Sequence, residues 1–142
     1  MNQARARRQD AVIALRLPPG ADLRRELTRV PRDHGITAAF ILSAVGSLGP
    51  AAIRFAGKQS ATLLEGDFEI IAFSGTLGPD GVHLHIAVAD AEGRVLGGHV
   101  AEGCVVRTTV EVVIGIAQGW TFNREPDPAT GYRELVPRKQ RR

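Results

Sequence analysis

Between residues 82 and 101 the sequence specifies a β-hairpin position by position. Val82, Leu84, Ile86 and Val88 alternate with His83, His85, Ala87 and Ala89, and strand side chains alternate between two faces. The first set predicts a face turned to a core, so two histidines share the opposite face. Asp90-Ala91-Glu92-Gly93 then fits a type I turn with Gly93 in the left-handed position, a three-residue hairpin loop with a glycine bulge. In such a loop Asp90 pairs with Arg94, and carrying that register back sets His85 opposite His99. Directly opposed residues share a face, with Cβ atoms about 4.5–5.5 Å apart, and His83 is the next residue along that face. Three of the four histidines in the chain are thus expected on one patch, floored by Gly97 and Ala87. A register slip of one residue would send His99 to the other face.

Imidazole nitrogen suits zinc, iron, nickel or copper. Three histidine ligands with an open fourth position form a catalytic type of zinc arrangement, since closed structural sites fill all four. The expected cofactor is therefore a divalent metal ion, zinc first, held by His83, His85 and His99. The open position would take water, a carboxylate or a small anionic ligand. The same pattern also arises from polar residues on a solvated face, or from histidines buried at an oligomer contact. Glu69, Asp90, Glu102 and Glu111 are the acids that could assist, although Glu102 faces away from His99 unless Gly103 marks a bulge. His34, on the helix stripe described below, is expected to pack or cap. Cys104 is too isolated to be assigned as a nucleophile. The chain shows no Ser-His-Asp spacing, phosphate loop or dinucleotide fingerprint, and Gly97-Gly98 reads as close backbone packing. A cupin shares the H-x-H pair but needs a downstream glutamate and a Pro-x-Gly-x-x-His run that are missing. No general base stands out, so the catalytic residues are unknown and the question of enzyme activity stays open.

The remaining chain predicts one helix followed by strands. Residues 11–17 alternate loosely and end at Pro18-Pro19-Gly20. Asp22 is placed to cap a helix whose stripe is Leu23, Leu27, Val30 and His34; Pro31 should kink or end it, and Gly35 terminates it. Strands are expected over 36–45, 51–55, 58–64, 67–77, 82–89, 94–101 and 105–118, with a turn over Gly46–Pro50. Beyond Gly119 the chain is polar and proline-rich, with Trp120, Phe122 and Tyr132 as expected anchors onto the core. One helix before hairpin-connected strands argues for an α+β fold with a largely antiparallel sheet. A chain of 142 residues, 44% of them hydrophobic, suffices for one domain with a real core. A single cysteine rules out an internal disulfide, and no apolar run reaches the roughly 18 residues of a membrane helix. The N-terminal Ala11–Leu15 run is cut short by Arg16 and the prolines, unlike a signal peptide, so a cytoplasmic setting without a membrane is expected.

The net charge of +3 hides an uneven distribution: residues 1–10 carry +2, residues 137–142 carry +4, and the body about −3. The expected organisation is a basic tail over 1–10, a domain over 11–136 and a second basic tail over 137–142. A fold that grips DNA through its surface usually shows a basic face. Here only the tails suit phosphate, so the DNA-binding alternative rests on Arg5, Arg7, Arg8, Arg138, Lys139, Arg141 and Arg142.

Several segments carry a family resemblance. Gly81-Val-His-Leu-His85, Gly93-Arg-Val-Leu-Gly-Gly-His99, Gly103 and Thr109-Val-Glu-Val-Val113 resemble the plants-and-prokaryotes conserved (PPC) domain. Gly66-Asp-Phe-Glu-Ile-Ile71 followed by Ser74-Gly75 is similar to that family's Gly-Arg-Phe-Glu-Ile-Leu signature, with Asp67 in place of its arginine. The resemblance spans about residues 11–136. It implies an α/β domain with an antiparallel sheet, assembled as a homotrimer, with metal in some members at the histidines matching His83, His85 and His99. Plant members join the domain to AT-hooks and act as nuclear DNA-binding proteins; stand-alone prokaryotic members often carry a DNA-binding label. The Arg-Gly-Arg-Pro core of an AT-hook is not present in this sequence.

Overall fold

The structure is a computed structural model that describes residues 11–141. The chain order is β1 (Val12–Leu17), α1 (Leu23–His34), β2 (Ala39–Leu48), β3 (Ala51–Arg54), β4 (Thr62–Leu64), β5 (Phe68–Gly78), β6 (Gly81–Ala89), β7 (Val95–Val100), β8 (Val106–Ile116), β9 (Trp120–Pro126) and β10 (Arg133–Lys139). Eight strands form one antiparallel sheet in the order β1-β8-β2-β5-β6-β7-β3-β4, and β9 pairs with β10 as a separate hairpin. The α+β class with one helix and a largely antiparallel sheet is as expected. The connectivity is less simple than a run of hairpins, because β8 returns across the sheet to lie between β1 and β2.

The helix forms where its signals stand. The Asp22 carboxylate accepts from the Arg25 backbone N–H at 3.0 Å, satisfying one of the free donors of the first turn. Leu23, Leu27 and Val30 are buried on one stripe. Gly35 closes the helix at φ 63°, where only glycine is unstrained. Pro31 does not end it: the helix runs three residues further, and the proline is buried. So close to the end, the missing N–H costs only one hydrogen bond. His34 does not join the core stripe. It is exposed in the last turn, a place where a cation complements the helix dipole.

The core lies between α1 and one face of the sheet. Val82, Leu84, Ile86 and Val88 of β6 are buried, as are Val106, Val110, Val112 and Ile114 of β8. Each such side chain contributes about 1.5–3 kcal/mol when removed from water. The other face keeps apolar residues in view, with Leu42, Val45 and Ile71 more than half exposed.

Three local expectations fail for physical reasons. Gly46-Ser47-Leu48 is strand, not turn: a Cβ at Gly46 would sit 2.2 Å from the Thr109 carbonyl oxygen, so the glycine serves close approach between β2 and β8. Ser47 is buried there, 2.6 Å from the Thr108 hydroxyl. The expected strand over 58–64 shrinks to Thr62–Leu64, because Lys58 is held in a turn, its N–H donating to the Phe55 carbonyl. The polar C-terminal region is a hairpin, β9 and β10, tied to the domain by Phe122 N–H donating to Thr37 O at 2.9 Å. Its prolines, Pro126 and Pro137, are tolerated where a two-stranded ribbon leaves edges unpaired. Tyr132 is no core anchor; it is 68% exposed.

Candidate metal centre

The hairpin that carries the histidines has the expected register. Asp90 N–H donates to the Arg94 carbonyl and Gly93 N–H to the Asp90 carbonyl, both at 2.9 Å, with Gly93 at φ 80°. His85 is paired with His99, and Ala87 with Gly97. The pairing extends sideways through the sheet: Ser74 of β5 lies opposite His85, and Arg54 of β3 lies opposite His99. One row across the outer face therefore reads Ser74, His85, His99, Arg54. Thr76 and His83 form the adjacent row.

The three rings meet. Their centroids are 4.8 Å apart for His83 and His85, 5.4 Å for His83 and His99, and 4.5 Å for His85 and His99. Each offers one nitrogen, and these nitrogens all lie within 4.8 Å of one another. Around a tetrahedral zinc with bonds of about 2.0–2.1 Å the ligand nitrogens stand roughly 3.4 Å apart. Small side-chain rotations close that gap, so the donor set fits a metal ion. Burial holds the His83 pKa below its usual value, with the charges of His85 and Arg124 adding to the effect. His99 is lowered by burial first, then by Arg54 and the other two histidines. Both rings therefore favour the neutral form, which is the form that ligates.

Close backbone packing positions the pair. A Cβ on Gly97 would lie 2.6 Å from the Ile86 carbonyl oxygen, and one on Gly98 would lie 2.4 Å from that of Arg54. The two glycines thus let β6 and β3 close on either side of β7.

The candidate acids do not join the cluster; among the described residues the group consists of the three histidines. Glu102 pairs with Arg25 at 2.9 Å. Asp90 caps its own hairpin by accepting from Glu92 and Arg94 backbone N–H groups, and Glu69 and Glu111 are exposed. Cys104 is buried, donates to the Ala52 carbonyl, and has its thiol pKa pushed up to about 11 by burial; it is no nucleophile at neutral pH.

Of the basic residues, Arg5, Arg7, Arg8 and Arg142 lie outside the described residues. Arg138 and Lys139, expected in a tail, stand in β10. Arg138 is ion-paired with Glu125, and the Lys139 ammonium lies 5.5 Å from the Trp120 ring centroid. Arg141 is exposed beyond the strand.

What sequence reading missed is the wall of a cleft of about 800 Å³ that opens beside His83 and His99. Arg24, Arg54 and Arg124 line it, drawn from α1, β3 and β9. No local motif links these three. Only the β3–β7 pairing and the C-terminal hairpin bring them together. A second, more apolar hollow of about 480 Å³ lies on the other side, over Ala72, Phe73, Ala87 and Gly97 beside His85.

Comparison with known proteins agrees with this architecture. The family described as the Plants and Prokaryotes Conserved (PCC) domain matches residues 4–118. The bifunctional protein GlmU of a Synechococcus strain is 53% identical over 124 residues, covering 87% of this chain but 20% of that protein. A hypothetical protein from Salmonella enterica superposes with a TM-score of 0.87 at 44% identity, covering 90% of this chain and 93% of that one. A metal-containing protein from Archaeoglobus fulgidus superposes with a TM-score of 0.76 at 27% identity, covering 91% of this chain and 95% of that one.

Proposed function

The chain belongs to the plants-and-prokaryotes conserved domain family, and on that premise we propose that it is a metal-binding member, with His83, His85 and His99 holding one divalent ion, zinc first. The observation that carries this reading is the meeting of three imidazole nitrogens within 4.8 Å, with no carboxylate in the group. The metal-containing relative from Archaeoglobus fulgidus supports it. When bound, the ion supplies Lewis acidity at its open position. The chain's own part is to present three imidazole rings from two paired strands and to hold them with glycine-packed neighbours. Elemental analysis of metal-replete protein tests the reading: one ion per chain is expected, and it should be lost in His85→Ala. A wild-type chain that leaves dialysis without metal refutes it.

The setting we propose is a homotrimer in the cytoplasm, where a free thiol such as Cys104 stays reduced. Among the described residues no helix is long and apolar enough to cross a membrane. The outer sheet face supports self-association, since Phe40, Leu42, Val45, Ile71 and Val95 stand exposed on the face opposite the helix, and exposed apolar patches mark contact surfaces. Light scattering should give three times the 15.2 kDa chain mass; a monomer refutes the trimer.

A second reading, DNA binding through the basic ends, draws on the exposed Arg138, Lys139 and Arg141. Trimerisation would multiply such weak contacts. Binding should then fall steeply with salt and vanish without residues 1–10 and 137–142. Binding that survives both changes refutes this reading.

A further inference from the structure

The cleft beside the histidines has a charge balance that the metal reading leaves unexplained. Five cations line it, Arg24, Arg54, Lys58, Arg124 and Arg133, against two carboxylates, Glu102 and Glu134. Glu102 is already held by Arg25, through contacts of 2.9 and 3.1 Å. Glu134 is therefore the one carboxylate of the lining left to oppose those cations.

Three of the arginines are half-buried and fixed without an anion. Arg24 donates to the Val100 carbonyl at 3.1 Å, Arg54 to the Lys58 carbonyl at 3.0 Å, and Arg124 to the Thr76 hydroxyl at 2.9 Å. Among the described residues none of the three has a carboxylate within salt-bridge distance. A guanidinium has five N–H donors, so most of each fork remains available. Gathering like charges in a half-buried place costs stability unless an anion joins them. His83 and His99 line the same cleft as these three arginines.

We propose that this cleft binds a phosphate monoester of a small organic group, its phosphoryl oxygens held by the guanidiniums of Arg24, Arg54 and Arg124 beside the histidine cluster. Three forks match a tetrahedral dianion with three terminal oxygens, and arginine binds phosphate through paired, charge-assisted hydrogen bonds. A monocarboxylate offers one charge and two oxygens. Tyr132, 68% exposed in the cleft wall, gives the organic group an aromatic face to lie against. The inference leans on the metal reading only for which side of the cleft the phosphoryl group faces.

Calorimetric titration of the full chain with phenyl phosphate, inorganic phosphate and benzoate tests it, in zinc-loaded and chelator-treated forms. Phenyl phosphate should bind tightest in both. The Arg54→Gln, Arg124→Gln double variant should weaken it at least about tenfold, the loss of charged hydrogen bonds. The single variants Arg54→Lys and Arg124→Lys, which keep the charge but lose the fork, should fall between. Thermal melts confirm that each variant is folded, and the lysine variants carry the test if the double variant is not. Equal phenyl phosphate binding by wild type and the arginine variants overturns the proposal, as does benzoate binding as tightly. Inorganic phosphate binding as tightly as phenyl phosphate overturns the ester and points to the free ion. Arginine-dependent binding in a chain that holds no zinc leaves this proposal standing and removes the metal reading. Zinc retained without arginine-dependent binding does the reverse.

Discussion

Gly98→Ala turns the strand packing around His99 into a question of sign. A Cβ at this position would lie 2.4 Å from the Arg54 carbonyl oxygen and 3.0 Å from Ile53 Cγ2. The backbone of Gly98 is not in the left-handed region, so alanine suffers no conformational strain there. An unhindered Gly→Ala change stabilises by about 0.4–1 kcal/mol through the unfolded chain. Relieving the contact requires β3 and β7 to part by roughly 1 Å, and overpacking of this kind costs about 1–3 kcal/mol. The clash wins, leaving a net loss of about 1–2 kcal/mol. For a domain of this size that lowers the melting temperature by roughly 3–8 °C. Thermal unfolding followed by circular dichroism measures it directly. A melting temperature that rises, by the few degrees an unhindered substitution would give, would refute the close approach of Arg54 to β7. With it would go the placing of that arginine beside His99.

Asp22→Ala should be more costly than a simple cap loss, because the carboxylate also accepts from Gly103 N–H at 2.7 Å; denaturant unfolding should show about 2–3 kcal/mol lost, and a loss well under 1 kcal/mol would contradict the double role. His83 and His99 have folded-state pKa values below the ordinary value near 6.5. The unfolded chain therefore binds protons first as pH falls. In the metal-free protein the contribution of these two rings is fully present above about pH 6.5 and is lost as pH drops through their folded values. Replacing both by glutamine should flatten that part of the stability profile, and an unchanged acid slope would contradict the assignment. Cys104 should resist a thiol reagent in the native state at pH 8 and react at once in denaturant, given its burial and a pKa of about 11; fast native labelling would contradict its burial.

Much of the site was legible because its determinants are local. The alternation in β6, the Asp90–Gly93 turn and the spacing to His99 settle the register within twenty residues, with no need of the rest of the fold. The helix was legible for the same reason, through Asp22, the Leu23, Leu27, Val30 stripe and Gly35. Errors arose where glycine served packing instead of turning, as at Gly46, and where proline sat in edge strands, as at Pro126 and Pro137. Pro31 misled because its cost depends on distance from the helix end, not on its presence. The arginine wall was not legible at all. Arg24, Arg54 and Arg124 come together only through pairings between strands far apart in sequence, and nothing in their local surroundings sets them apart from other surface arginines.

His83, His85 and His99 form the proposed metal centre. Its most direct test is anomalous scattering from crystals of metal-replete protein, collected on both sides of the zinc edge. One strong anomalous peak per chain is expected, bonded to one nitrogen each of His83, His85 and His99 at about 2.0–2.1 Å. A well-ordered histidine cluster with no anomalous peak among the three rings would contradict it.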